Sequence, residues 1–419
     1  MEFYKEFLSN GIRLVCWPMP HLRSATAMIG FAAGGRHEDA VHPGIAHFAE
    51  HIAFKGPRRF PTGQAILEAF QDLGSSANAG TSSEMTVFYV KSPALYLGEA
   101  VEIIADIAFD PFFTDENVRV ESGAIVQELK EDLDDLATQA EDLSDRLIFG
   151  DHPLGGSVLG TLESLQLITA DDLHGFRRRW YTTDRTVVGL VGNLEEQVIC
   201  DLRRRLESVP ASRGYGLVLP FTRFQSSPAF EFREKAAEQT NTVLGFHSYG
   251  RNHPKAEALQ VLEAVLSSRL YLELREYRGL VYGVDASIHL LSDCGTIEIE
   301  MALDHGELEL ALGVVLGELN RLRVEPVLAD QLRRIKRSLR GSIDISFEST
   351  AHLCGFMVEQ EGMDGNIKSF EEIVAKIEAV TVADIQDVAQ EIFVGSGLNL
   401  AIVGPKPRFR KIKNLIAKF

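Results

Sequence analysis

Two imidazoles and a carboxylate stand close together in the stretch PGIAHFAEHIAFKG, Pro43 to Gly56: His47, Glu50 and His51. Their neighbours Ile45, Ala46, Phe48, Ala49, Ile52 and Phe54 are apolar. On a helix turning about 100° per residue, His47 and His51 share one face a turn apart, so both can reach a single ion. Zinc takes nitrogen ligands at about 2.0–2.1 Å, and a catalytic site keeps three protein ligands plus a water. Two ligands on one helix leave a third to come from elsewhere. Glu50 adjoins the same face and, if it is not a ligand, is free to accept a proton from the water. The plain alternative makes the histidines core or surface residues and Glu50 a solvated side chain. HxxEH inside an apolar helix weighs against it.

The elements that must position these groups are legible around them. FLSNGIRLVCW is an Asn-Gly turn between strand-like runs, a hairpin signal. SATAMIGFAAGG follows as an apolar strand, then Pro43 to Lys55 has helical spacing. TGQAILEAFQDLG is a second helix stopping on Gly74. TSSEMTVFYVKS is rich in β-formers, and its edge is expected to pair with an extended peptide. A long acidic helical run extends from about Asp115 through ESGAIVQELKEDLDDLATQAEDLSDRL. It offers many carboxylates, and Glu131, Asp132, Asp134 and Asp135 read as a solvated face. Strands and helices alternate without a regular βαβ rhythm. The expected class is α+β, with mixed, mostly antiparallel sheets packed with helices.

The chain also repeats itself. TADDLHGFRRRWYTTDRTVVGLVGN, from Thr169, and TVADIQDVAQEIFVGSGLNLAIVGP, from Thr381, each place a glycine (Gly192, Gly404) 23 positions after the threonine. AMIGF at Ala27 resembles TVLGF at Thr242, and the two offsets, 212 and 215, nearly agree. Two homologous domains are expected, 1–210 carrying the candidate zinc groups and 229–419 lacking them, with the Pro/Gly/Ser-rich segment 211–228 as linker. A shift of 215 carries His47, Glu50 and His51 to Leu262, Val265 and Leu266. The fold can therefore be built without the ionisable cluster.

GGRHEDAVHPGIAHFAEHIAFKG resembles the insulinase-pitrilysin family of inverzincin metallopeptidases, in which HxxEH reverses the common zinc motif. LGSSANAGTSSEMTVFY is similar to the family's Gly-Gly-x-x-Asn-Ala-x-Thr stretch, with Ser75 in place of the second glycine. HPLGGSVLGTLESL and SSRLYLELREYRGLVYGV also match its pattern, and the length resembles the short, two-domain bacterial and mitochondrial-processing type. The resemblance implies Glu128 as third zinc ligand and Glu121, seven residues earlier on the same helix face, as the carboxylate that orients a ligand histidine. It implies one Zn²⁺ per chain, Glu50 as general base, and Asn78 and Ala79 as substrate-binding residues. It assigns Arg275 and Tyr282 to holding the substrate and supporting the transition state. On the residues alone, Arg275 can equally pair with Glu273 or Glu276, and Tyr282 can be core. The two domains are expected to form half of a clamshell. A zinc endopeptidase acting on unfolded or flexible peptides in an enclosed chamber follows. The alternatives are a maturation protease for one precursor working with a partner, or a non-catalytic structural subunit.

Composition bounds the rest. The chain has 419 residues, 45% hydrophobic and 24% charged, more than one ordinary core can use. The net charge of -18 disfavours nucleic acid as a partner. Cys16, Cys200, Cys294 and Cys354 are scattered and read as free thiols of a reducing compartment. There is no apolar run of about 18 residues to span a membrane, and the start, MEFYKEFLSNGIRL, lacks the pattern of a signal peptide. A cytoplasmic enzyme is expected, a homodimer, with a heterodimer with a related subunit as the other possibility.

Overall fold

A computed structural model describes residues 3–419. The strands are β1 (Tyr4–Phe7), β2 (Arg13–Pro18), β3 (Ser24–Phe31), β4 (Ser76–Thr81), β5 (Thr86–Pro93) and β6 (Thr186–Gly192) in one sheet. A second sheet holds β7 (Ala229–Glu234), β8 (Gln239–Ser248), β9 (Val281–Leu290), β10 (Gly295–Asp304) and β11 (Asn399–Gly404). The first half's helices are α1 (Ile45–His51), α2 (Gly63–Asp72), α3 (Leu97–Phe109), α4 (Asp115–Asp134), α5 (Leu136–Phe149), α6 (Leu162–Leu167), α7 (Ala170–Trp180) and α8 (Glu196–Glu207). The second half supplies α9 (Ala256–Leu270), α10 (Leu308–Val324), α11 (Ala329–Ser346), α12 (Thr350–Asp364), α13 (Phe370–Ala379), α14 (Val382–Ile392) and α15 (Phe409–Ile416).

The two sheets share one topology. Their orders are β1-β2-β6-β3-β5-β4 and β7-β11-β8-β10-β9. Without β1, each begins with a parallel pair, β2 with β6 and β7 with β11, and continues antiparallel to an edge strand, β4 or β9. The repeat read from sequence has its cause here. Thr169 and Thr381 cap α7 and α14 with the same box, each accepting from the third helical N–H, that of Asp172 or Asp384. Gly192 and Gly404 end the central strands β6 and β11 at φ 130° and 149°, a region that favours glycine.

The compact units do not follow one cut at residues 211–228. One comprises Met1–Leu129, Ser157–Leu219 and Asp344–Ile367; the other comprises Lys130–Gly156, Pro220–Ile343 and Lys368–Phe419. Each sheet is thus covered on one face by a helix from the opposite half of the sequence. In the first unit, Leu14 and Cys16 of β2 face α3 and α8, while Val15 and Trp17 face α12. In the second, Leu400 and Ile402 of β11 face α9, α10 and α14, and Ala401 and Val403 face α5. Burial on both faces explains why the central strands read as unbroken apolar runs.

The glycines of AMIGF and TVLGF seat these two helices. A Cβ on Gly30 would lie 2.5 Å from Val358 of α12, and one on Gly245 2.8 Å from Ile148 of α5. The acidic run expected as one helix is broken at Asp135. Its carboxylate accepts from Ala137 and Thr138 N–H and starts α5 afresh, close to where the chain passes between units.

One further expectation changes. TSSEMTVFYV is not an edge: β5 is paired on both sides, with β3 and with β4. The open edge belongs to β4, which contains Asn78 and Ala79. The four cysteines are free. No helix among the described residues is long and apolar enough to cross a membrane.

Candidate functional site

Helix α1 starts on Gly44, whose φ of +88° and a Cβ that would meet the Leu159 carbonyl oxygen at 2.6 Å leave room only for glycine. No side chain of the helix itself caps it. Glu38 does so from outside, its carboxyl oxygens accepting from Gly44 N at 2.8 Å and Ala46 N at 2.9 Å, two of the helix's free N–H groups. Burial nevertheless pushes the Glu38 carboxyl up to about 8, against the pull of those two bonds. Ile45, Ala46, Phe48 and Ala49 anchor α1 in a core shared with α4 and α7. This packing fixes the polar face.

On that face the His47 and His51 rings lie 4.4 Å apart between centroids, tilted by 58° to each other. Glu128 of α4 approaches both, its Oε2 standing 3.9 Å from His47 Nε2 and 3.5 Å from His51 Nε2. Two ligands about 2.1 Å from a common ion stand up to about 4 Å apart, and these two imidazole nitrogens and a carboxylate oxygen, all within 4.8 Å of one another, are a donor set of the kind zinc takes. No other group of three His, Cys, Asp or Glu residues gathers this way among the described residues.

The groups behind the donors are equally ordered. Glu121, 5% exposed, accepts from His51 Nδ1 at 3.0 Å and ion-pairs with Lys55. Burial opposes the Glu121 charge, but His51 and Lys55 outweigh it and hold the carboxyl below its ordinary range. It is therefore ionised and accepts, which leaves Nε2 of His51 as the nitrogen turned to Glu128. Burial lowers the His47 imidazole to about 4, with His51 adding to the effect, and keeps it neutral as a ligand must be. His51 moves the other way: burial lowers it, while the bond to Glu121 and the charges of Glu128 and Glu50 raise it further. Glu50, 7% exposed, is raised by burial, and Thr81 Oγ1 donates to its Oε2 at 2.8 Å.

All four zinc-side candidates and Glu121 thus meet at one place in the first unit. The positions 215 later, Leu262, Val265 and Leu266 of α9, are fully buried apolar core. Arg275 and Tyr282 belong to the other unit. Arg275 pairs with neither neighbouring glutamate; its guanidinium lies over the Tyr271 ring at 5.4 Å, and Glu273 takes Arg278 instead. Tyr282 is not core but 56% exposed, its hydroxyl donating to Asp304 Oδ1 at 3.0 Å.

Sequence reasoning missed Lys55, Thr81 and Glu38. Lys55 is four residues beyond His51, the helical spacing that brings it to the same side. Thr81 closes the Asn-Ala-x-Thr stretch. Glu38 carries no such signal.

Residues 19–162 match the family model described as Insulinase (Peptidase family M16), and residues 167–339 that described as Peptidase M16 inactive domain. An uncharacterized zinc protease of Mycobacterium leprae is 30% identical across 95% of this chain and 91% of its own length. The chain belongs to the insulinase family. A second relative, an uncharacterized zinc protease of Bacillus subtilis, is 29% identical across 94% of this chain and 97% of its own length. In fold, the chain is similar to a protease from Helicobacter pylori, with a TM-score of 0.90 and 18% identity over 96% of this chain and 100% of that one. A peptidase M16 inactive domain from Pseudomonas fluorescens gives 0.89 and 19% over 97% and 99%. The second-half description agrees with the missing cluster in α9.

Proposed function

We propose that this insulinase-family chain is a zinc-dependent endopeptidase that hydrolyses unfolded or flexible peptides, with one zinc held by His47, His51 and Glu128. The observation that carries the reading is the convergence of those three donors beside a buried, hydrogen-bonded Glu50. The relatives' description as zinc proteases points the same way. Zinc, when bound, acidifies water and polarises a scissile carbonyl. Glu50 then takes a proton from the attacking water and returns it to the leaving amine nitrogen as the C–N bond breaks. Glu121 keeps the His51 ring turned. The free edge of β4 receives the peptide as an added strand, past Asn78 and Ala79. Arg275 and Tyr282 grip the peptide and supply donors to the developing oxyanion. Backbone pairing reads little of the side chains, which suits many unstructured substrates. A homodimer is the expected working form, in the cytoplasm.

The test is Glu50→Gln. It should retain zinc by elemental analysis and lose nearly all cleavage of a quenched fluorescent peptide. Substantial turnover in that variant would remove Glu50 as the base.

A further inference from the structure

A general base must hold one oxygen toward its proton donor in a fixed direction. Rotation about the last bond of a glutamate is broad, so the direction must come from outside the residue. For Glu50 the donor is the Thr81 hydroxyl, 2.8 Å from Oε2. Its anchorage is stiff. Thr81 ends β4 and pairs with Thr86 of β5, a fully buried residue whose hydroxyl donates to the Ala33 carbonyl at 2.9 Å. The bond occupies one carboxylate oxygen and leaves the other for water. Thr81 also stands two residues beyond Ala79 on β4, so the two side chains fall on the same face of the strand.

We propose that Thr81 is a positioning residue: it sets the direction of the Glu50 carboxylate and ties it to the edge strand that receives the peptide. This rests on the role of Glu50 given above. A peptide paired with β4 is placed, through Thr81, in register with the base that acts on it. The contribution belongs to the chemical step. Backbone pairing along β4 needs no hydroxyl, and neither do the zinc donors.

Four variants test this: Thr81→Val, Thr81→Ser, Glu50→Gln and the double variant Glu50→Gln/Thr81→Val. Zinc content, thermal unfolding and steady-state peptide cleavage are measured on each. Thr81→Val is expected to lose about 10–100-fold in kcat, as for other residues that orient a reacting group, with KM, zinc content and melting temperature near the parent's. Thr81→Ser, which restores the donor, should return to within a few-fold of the parent. On the Glu50→Gln background, Thr81→Val should cost nothing more, because it acts through the missing carboxylate. Parental kcat in Thr81→Val, loss of zinc from it, equal damage in Thr81→Ser, or a further loss in the double variant would each overturn the proposal. Parental turnover in Glu50→Gln is a different failure: it removes the base itself, and the role of Thr81 with it, whatever the Thr81 variants do.

Discussion

Glu121 Oε1 accepts the Nδ1 proton of His51 at 3.0 Å, while the carboxylate also meets the Lys55 ammonium. The histidine is thus fixed from behind, and its free nitrogen is presented forward. Glu121→Gln keeps the shape but removes the charge that holds His51 and Lys55 together. We expect zinc affinity to fall about 10–100-fold, read by chelator competition. Unchanged affinity would make Glu121 a passive core residue.

Glu128 is the more exposed partner, and among the described residues it pairs with the two histidines and with no lysine or arginine. Its value to the site is as a ligand. Glu128→Gln should lower zinc occupancy sharply in elemental analysis and leave the melting temperature of chelated protein unchanged. Full occupancy at parental affinity would strike Glu128 from the ligand set.

Much of this site was legible because its chemistry is local. The i, i+4 spacing of His47 and His51 is a helix property that a single sequence displays; Glu121 and Glu128 stand out from the many carboxylates of the acidic run only by the family resemblance. The repeat was legible too, since Thr169 and Thr381 cap, and Gly192 and Gly404 turn, by short-range rules. What sequence could not display was long-range. Glu38 caps α1 only because the chain folds back on Gly44. β4 is a short strand of small, polar residues, SANAGT, whose weak β-propensity hid it from the sequence although it pairs with the very next strand. The glycines of AMIGF and TVLGF stood out as a repeat, but their reason is a helix from the other half of the sequence.

That reason makes a prediction. Gly245→Ala adds a methyl that would meet Ile148 Cδ1 at 2.8 Å and the Ser144 hydroxyl at 3.1 Å. The position has no positive φ, so the cost is packing alone. Overfilling of this kind costs about 1–3 kcal/mol, or several degrees in the melting temperature. Gly30→Ala, against Val358, should behave alike in the first unit. Parental melting temperatures in both would mean that α5 and α12 are not seated as tightly as described.

Glu298 sets a pH trend. It is buried against Asp145 and accepts from Ser144 Oγ at 2.7 Å; burial pushes it up to about 7, that bond opposing and Glu300 adding to the rise. Unfolded, the carboxyl titrates near 4.5. Between those values the folded state keeps a proton that the unfolded state has released. Stability from this group is therefore full below about 4.5 and lost as pH rises to about 7. Glu298→Gln keeps an acceptor for Ser144 and removes the titration. It should melt a few degrees above the parent at pH 8 and level with it at pH 4.5. A uniform shift at both pH values would assign the effect to packing instead.

Tyr282 and Arg275 carry the last prediction. Both lie on exposed surface of the second unit, so neither is bound into its core, and substitution should cost little stability. Tyr282→Phe removes one hydroxyl and its bond to Asp304. If that hydroxyl serves the developing oxyanion, kcat should fall about 10²–10³-fold with zinc content unchanged. Arg275→Ala should raise KM as well, because the guanidinium lies over Tyr271 and, among the described residues, no carboxylate pairs with it. Steady-state cleavage of a quenched peptide separates the two effects, with zinc content and thermal unfolding as controls. If both variants cleave like the parent, the second half contributes scaffold alone. The donors would then have to come from the first unit or from another chain.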